Sequence, residues 1–387
     1  MSSQTFQSLK ELPTPLSDPQ CVLHNHEILI CGGKCKSVCY SYHILRDEYK
    51  FICSYPNDIT LEGHCVVKLV DNNSKNSNEI TLLSFGGNKY KHTLVMKYVS
   101  VWSNNNDNQI NKSKKLKKSN NYNEWIPFTD NHSNQIHIGK DEDEYIGARA
   151  VIGGSNNHLL FITYWKNNIS VFDLNTFQII KHDTLPIKNE ISYHCFVSKS
   201  ENGQGQEIMK TNQEKNNIKK KKSYKMLLFC QKTGLSIEYN ENKNTFRFHK
   251  LPICSDIATF HHYAYVCVND SILFFGGYGK KAASKALHKY SMQEKTWTTI
   301  EHTFLIPFRD YFGILDEDGT HMHIIGGRND DDISVSTHIK TKVMELMHKK
   351  TLQLSKNEIK LSIQHWIRIL KIKLGWVNDF NKIIFKY

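Results

Sequence analysis

The chain has 387 residues, 39% of them hydrophobic, and carries a formal net charge of +12. That length is enough for two or three ordinary domains or for one large repeat domain. No apolar stretch approaches the ~20 residues that a membrane-spanning helix requires.

The opening residues, MSSQTFQSLKELPTP, lack an apolar core, which argues against a secretory signal. The ten cysteines then read as reduced thiols, several of them at apolar, strand-like positions such as Cys65, Cys230 and Cys267. The expected location is the cytoplasm, with the lysine-rich loops as the feature that would carry the protein into a nucleus. The charge is unevenly distributed. Residues 112–118 carry five lysines and no acid, residues 210–225 carry seven lysines and one acid, and residues 340–387 carry eleven basic residues against three acids. Together these stretches exceed the net charge of the whole chain, so the remainder is mildly acidic. A basic surface for nucleic acid is therefore not expected.

Taken in order, the chain repeats one plan. Residues 5–12 precede the first hairpin signal and read as an orphan outer strand. Residues 22–33, VLHNHEILICGG, form two apolar runs around a polar turn and end in Gly32-Gly33. Residues 64–87 do the same and end in Gly86-Gly87, with Tyr98 following and Trp125 displaced by the first lysine-rich insert. Residues 148–177 and 193–246 are drifted units. In the first, Trp165-Lys166 stands where glycines are expected, and in the second, Tyr239 and Phe246 keep an aromatic spacing of six intervening residues. The clearest unit is 265–297, with the turn pair Asn269-Asp270, the diglycine Gly276-Gly277, then Tyr290 and, after six residues, Trp297. Residues 312–327 repeat the hairpin, with an Asp318-Gly319 turn and Gly326-Gly327. Only one further strand, at 333–339, is expected after it. The inserts at 103–122 and 198–224 lack bulky apolar residues and are expected to be disordered loops. From Ser355 a capping box and the apolar stripe Ile359, Ile363, Trp366, Ile367, Leu370 and Leu374 predict an amphipathic helix of about five turns.

The unit at 265–297 resembles a kelch repeat, in which four strands make one blade of a β-propeller, and the resemblance extends over residues 5–343. It implies an all-β, six-bladed kelch-type propeller; residues 344–387, outside the resemblance, are expected from their own pattern to form a helical extension that docks on the propeller or on a partner. Exposed sheet edges are a liability, so the missing fourth strand of blade six is expected from the N-terminus, with Phe6 at the position of the blade aromatic. Members of that family usually bind other proteins through inter-blade loops. The resemblance therefore implies a non-catalytic scaffold or adaptor with no cofactor, and contact positions at Lys34, Asn88, Tyr278, Arg309 and Arg328. The two arginines suit bidentate capture of a partner carboxylate.

The same residues bear on other chemistries. Galactose oxidase shares the architecture and would make the chain a metal-dependent oxidase. His261-His262 and His321-x-His323 are the histidine pairs open to such a reading, and neither spacing specifies a metal. A substrate receptor for a ubiquitin ligase would need a separate partner, since no segment is long enough for a BTB domain. Cys31, Cys35 and Cys39 are four apart, but the adjoining strand pattern and the lack of a second half-site argue for buried thiols rather than zinc. No phosphate-binding G-x4-G-K-[ST] segment, sialidase box or Trp-Asp pair is present.

Overall fold

The computed structural model describes residues 6–70, 79–87, 91–102, 121–199, 223–279, 282–284, 286–300 and 309–347. They build six four-stranded antiparallel sheets, five of them meanders in sequence order. Blade one is Gln20–His24, Glu27–Gly33, Lys36–His43 and Glu48–Ser54; blade two is Cys65–Leu69, Glu79–Gly86, His92–Val99 and Ile126–Pro127. Blade three is Arg149–Gly153, Leu159–Tyr164, Asn168–Asp173 and Gln178–Thr184; blade four is Cys195–Ser198, Ser223–Cys230, Thr233–Asn240 and Thr245–Lys250. Both drifted units are thus complete. Blade five is Ala264–Val268, Ser271–Phe275, Leu287–Ser291 and Thr296–Ile300; blade six starts with Arg309–Leu315, His321–Arg328 and His338–Lys342.

Blade six is closed from the other end of the chain. Phe6–Ser8 pairs antiparallel with His338–Lys342, Phe6 facing Thr341. The strand before it begins later than residues 333–339 suggested. The Asn329 side chain accepts the amides of Asp331 and Ile333 and bends this stretch into a turn, so regular pairing starts only at His338.

The register explains the aromatic spacing. Six intervening residues place the pair directly opposite across the hairpin of strands three and four, as in Tyr42 with Tyr49, Tyr239 with Phe246 and Tyr290 with Trp297. Their ring centroids are 4.9, 5.0 and 5.1 Å apart. Blade three keeps the geometry with Phe172 opposite Ile179. In blade six the equivalent pair is Thr341 with Phe6, and Phe6 packs against the core shared with blade five.

The apolar faces of adjacent blades meet in six clusters among the described residues, one for each blade junction. Each first strand lies beside the first strands of the two neighbouring blades, so six inner strands form a closed ring. The diglycines serve this ring. A Cβ on Gly33 would stand 2.7 Å from the Ser17 carbonyl oxygen, and one on Gly326, at φ +72°, would stand 2.6 Å from that of Leu16. Only glycine lets the backbone leading into the first strand approach so closely. Cys31 and Cys39 are buried and face each other across strands, whereas Cys35 is exposed in the bend between them.

A short helix at 343–347 buries Val343 and Leu346 in the junction of blades five and six. The helix expected from residue 355, Asn88 and most of both lysine-rich inserts lie outside the described residues. Ser198, Ser223 and Tyr224 belong to strands of blade four rather than to the insert. No helix among the described residues is long and apolar enough to cross a membrane.

Candidate functional site

At or just before the start of each inner strand one residue adopts a left-handed backbone. The six are Asp18, Gly63, Gly147, Tyr193, His262 and Asp310, with φ between 48° and 67°. They sit at the same place in every blade and link to one another through the main chain. The Asp18 amide donates to the Asp310 carbonyl at 2.7 Å, Gly147 to Gly63 at 2.8 Å, Tyr193 to Gly147 at 2.8 Å and Asp310 to His262 at 3.3 Å. Glycine adopts this conformation freely, while other residues are strained in it unless their surroundings hold them. Blades two and three use glycine. The other four place an aspartate, a tyrosine, a histidine and a second aspartate side by side around one arc of the ring.

Those side chains interact. His262 Nδ1 and Asp310 Oδ1 are in short hydrogen-bond contact, and the His262 ring stacks on Tyr193 with centroids 4.0 Å apart. One ligand atom from each of Asp18, His262 and Asp310 lies within 4.8 Å of the others. Asp18 is only 9% exposed. Burial first, and then the neighbouring Asp310 carboxylate, push its proton affinity well above that of an ordinary aspartate, while Arg149, Arg328 and Lys34 act in the opposite sense. Arg149, at the start of the inner strand of blade three, reaches over the Tyr193 ring at 5.8 Å. Its charge adds to burial in lowering the proton affinity of His64 in blade two and of His194 in blade four.

Four of the five expected contact positions fall around this ring. Lys34 follows the first diglycine; its amide donates to Ser17 and its ammonium pairs with Glu62 at 3.0 Å. Tyr278 lies under the Arg309 guanidinium at 4.2 Å. Arg309 and Arg328 face each other in register, and both donate to Asp332 Oδ1, at 2.6 and 2.7 Å. Their carboxylate is therefore supplied by the chain itself, from the turn that delays the third strand of blade six. These bonds, Arg328 first, hold the Asp332 carboxyl below the usual range although it is 57% exposed. Arg328 also faces Asp310, Nε to Oδ2 at 3.6 Å. Beside His262, a cleft of about 340 Å³ is lined by Trp165, Glu190, Ser192, Cys230, Gln231 and His261.

The histidine pair His321-x-His323 is engaged elsewhere. His321 Nδ1 contacts Asp316 at 3.1 Å, and buried His323 contacts His338 at 2.9 Å. Sequence reading weighed His262 only as half of the His261-His262 pair and missed Asp18, Arg149, Tyr193, Asp310 and Asp332 as site residues. The first four of these, and His262, lie in segments that align once the inner strands are known, such as Ser17-Asp18-Pro19-Gln20, Ser192-Tyr193-His194-Cys195 and Arg309-Asp310-Tyr311-Phe312. Their identities differ from blade to blade, which hides the repeat.

No family model matches the chain, and no curated protein matches it. Among solved structures, that of YjhT is similar, with a TM-score of 0.57 at 14% identity. The match covers 85% of this chain and 95% of that one. At this identity the likeness establishes the six-bladed propeller and nothing finer.

Proposed function

We propose that the chain is a non-catalytic, kelch-type propeller that binds another protein on the face bearing the arginine pair. The observation that supports this reading is the Arg309–Asp332–Arg328 arrangement. Two guanidiniums at the rim of the ring share one carboxylate that is more than half exposed. A partner's aspartate or glutamate meets the same donors by displacing Asp332, and two converging forks recognise a carboxylate by geometry as well as charge. Tyr278, already under Arg309, supplies an aromatic floor. Paired strands of blade six hold both arginines, so binding requires little ordering of the propeller.

The experiment is affinity capture with quantitative comparison of co-purified proteins. Baits are the full chain, the Arg309→Ala/Arg328→Ala variant, and the chain lacking residues 344–387. Partners bound by this face drop out with the arginine variant and persist with the truncation. A partner set unchanged by the double substitution places the binding surface elsewhere.

A further inference from the structure

We propose, resting on the reading of Arg309 and Arg328 as the docking point, that the Asp332 carboxylate is an autoinhibitory latch, an internal occupant that an acidic partner must expel. Both guanidiniums donate to Asp332 Oδ1 from paired strands that hold them opposite each other. The turn around it is acidic, with Asp330 and Asp331 exposed beside Asp332. A closed latch therefore fills the site and also repels negative charge arriving at it.

The turn that carries the latch does not depend on it. The Asn329 amide donates to the Ile333 carbonyl and the Asp332 amide to the Asn329 carbonyl, both at 3.1 Å. Asn329 Oδ1 accepts the amides of Asp331 and Ile333 at 3.1 and 2.9 Å, and the Val335 amide donates to the Gly327 carbonyl at 3.0 Å. These bonds set the backbone from Gly327 to Val335, and the Asp332 carboxylate makes none of them. Its hydrogen bonds among the described residues are the two to the arginines. A change of its side-chain rotamer therefore uncovers both guanidiniums while the turn keeps its shape.

As an occupant Asp332 is incomplete. Both arginines share Oδ1, and Oδ2 accepts no hydrogen bond among the described residues. Arg328 Nε is buried with no hydrogen-bond partner, since Asp310 Oδ2 stands 3.6 Å away. A buried donor left bare is unfavourable. A carboxylate free of the turn can set both oxygens across the two guanidiniums, which makes it the better ligand. The latch thus yields to a partner that brings an acid in the right geometry and resists one that does not. Closed in about nine of ten molecules, it weakens partner binding about tenfold, because apparent affinity scales with the open fraction.

The test uses the purified full chain and a fluorescein-labelled peptide copying residues 329–334, Asn-Asp-Asp-Asp-Ile-Ser, followed by fluorescence anisotropy at low ionic strength. Asp332→Ala should bind the peptide about tenfold more tightly than wild type. Asp332→Asn, which keeps the side-chain size and removes the charge, should do the same and serves if the alanine variant fails to fold. Asp331→Ala, which removes a neighbouring acid without touching the arginines, should bind close to wild type. Adding Arg309→Ala and Arg328→Ala to Asp332→Ala should abolish binding. An Asp332 variant that binds no better than wild type, or not at all, overturns the latch, as does a gain that survives loss of both arginines. The latch and the docking role fail separately. Captured partners that depend on the arginines, with no gain from Asp332→Ala, overturn the latch and leave the docking role standing. Tighter peptide binding by Asp332→Ala, with captured partners indifferent to the arginines, upholds the latch and removes the docking role.

Discussion

Replacing His64 and His92 by glutamine should flatten the loss of stability that the propeller suffers in acid. Both rings are buried at the junction of blades one and two, 6.1 Å apart and each about 5.8 Å from the Tyr55 ring. His64 Nε2 donates to the Cys31 carbonyl at 2.9 Å and leaves a buried Nδ1 with no partner. The Tyr55 hydroxyl donates to Ser84, whose hydroxyl meets His92 Nε2 at 2.8 Å. Burial lowers the pKa of His64 to about 4; burial and then repulsion from His64 lower that of His92 to about 3. The unfolded chain, with histidines near 6.5, therefore binds more protons than the folded one between these values. Stability falls as pH drops below 6.5, and the loss is complete only near pH 3. At pH 5 each ring costs about 2 kcal/mol by linkage. The pair thus costs about 4 kcal/mol, a large share of the 5–15 kcal/mol typical of a folded domain. Glutamine keeps a donor for Cys31 and an acceptor for Ser84 without titrating. Urea unfolding at pH 7.5 and 5.0, followed by circular dichroism, measures the difference. The acid loss should shrink by about 4 kcal/mol in the double variant. His194, His323 and His338 are also buried with lowered proton affinity, so some pH dependence should remain. An unchanged difference between the two pH values would refute the account of this junction.

Gly326→Ala combines a strained φ with a Cβ 2.6 Å from a backbone oxygen, and should destabilise the propeller by about 3 kcal/mol or more in chemical denaturation; a loss under 1 kcal/mol would mean that the lead-in to blade one yields easily. Removing residues 1–9 takes away the strand that pairs with His338–Lys342, together with the Leu9 amide bond to His338. The expected result is a lower unfolding midpoint and concentration-dependent association through the bared edge, seen by light scattering.

The repeat was legible in the sequence because its signals are local. A hairpin fixes which residues face each other, so six residues between two aromatics are enough to place Tyr290 opposite Trp297. Diglycines after apolar runs mark tight backbone approach wherever the partner lies. Closure followed from counting strands: blade six fell one short, and Phe6 stood where Trp297 stands in blade five.

The site was not legible, because nothing local specifies it. Asp18, His262 and Asp310 are far apart in the chain and meet only when blades five, six and one close the ring. Their left-handed backbone is imposed by neighbouring blades through main-chain hydrogen bonds, which any residue can make, so the sequence carries no fixed letter at that position. Asp332 is a further instance. As a residue in an acidic turn it is unremarked, and only the register of Arg309 against Arg328 brings two guanidiniums to its carboxylate. Sequence by itself determined the blade, its spacing and its closure, since these depend on contacts within a hairpin. Tertiary structure alone decided which side chains share the ring, because ring closure is what brings blades one, five and six together.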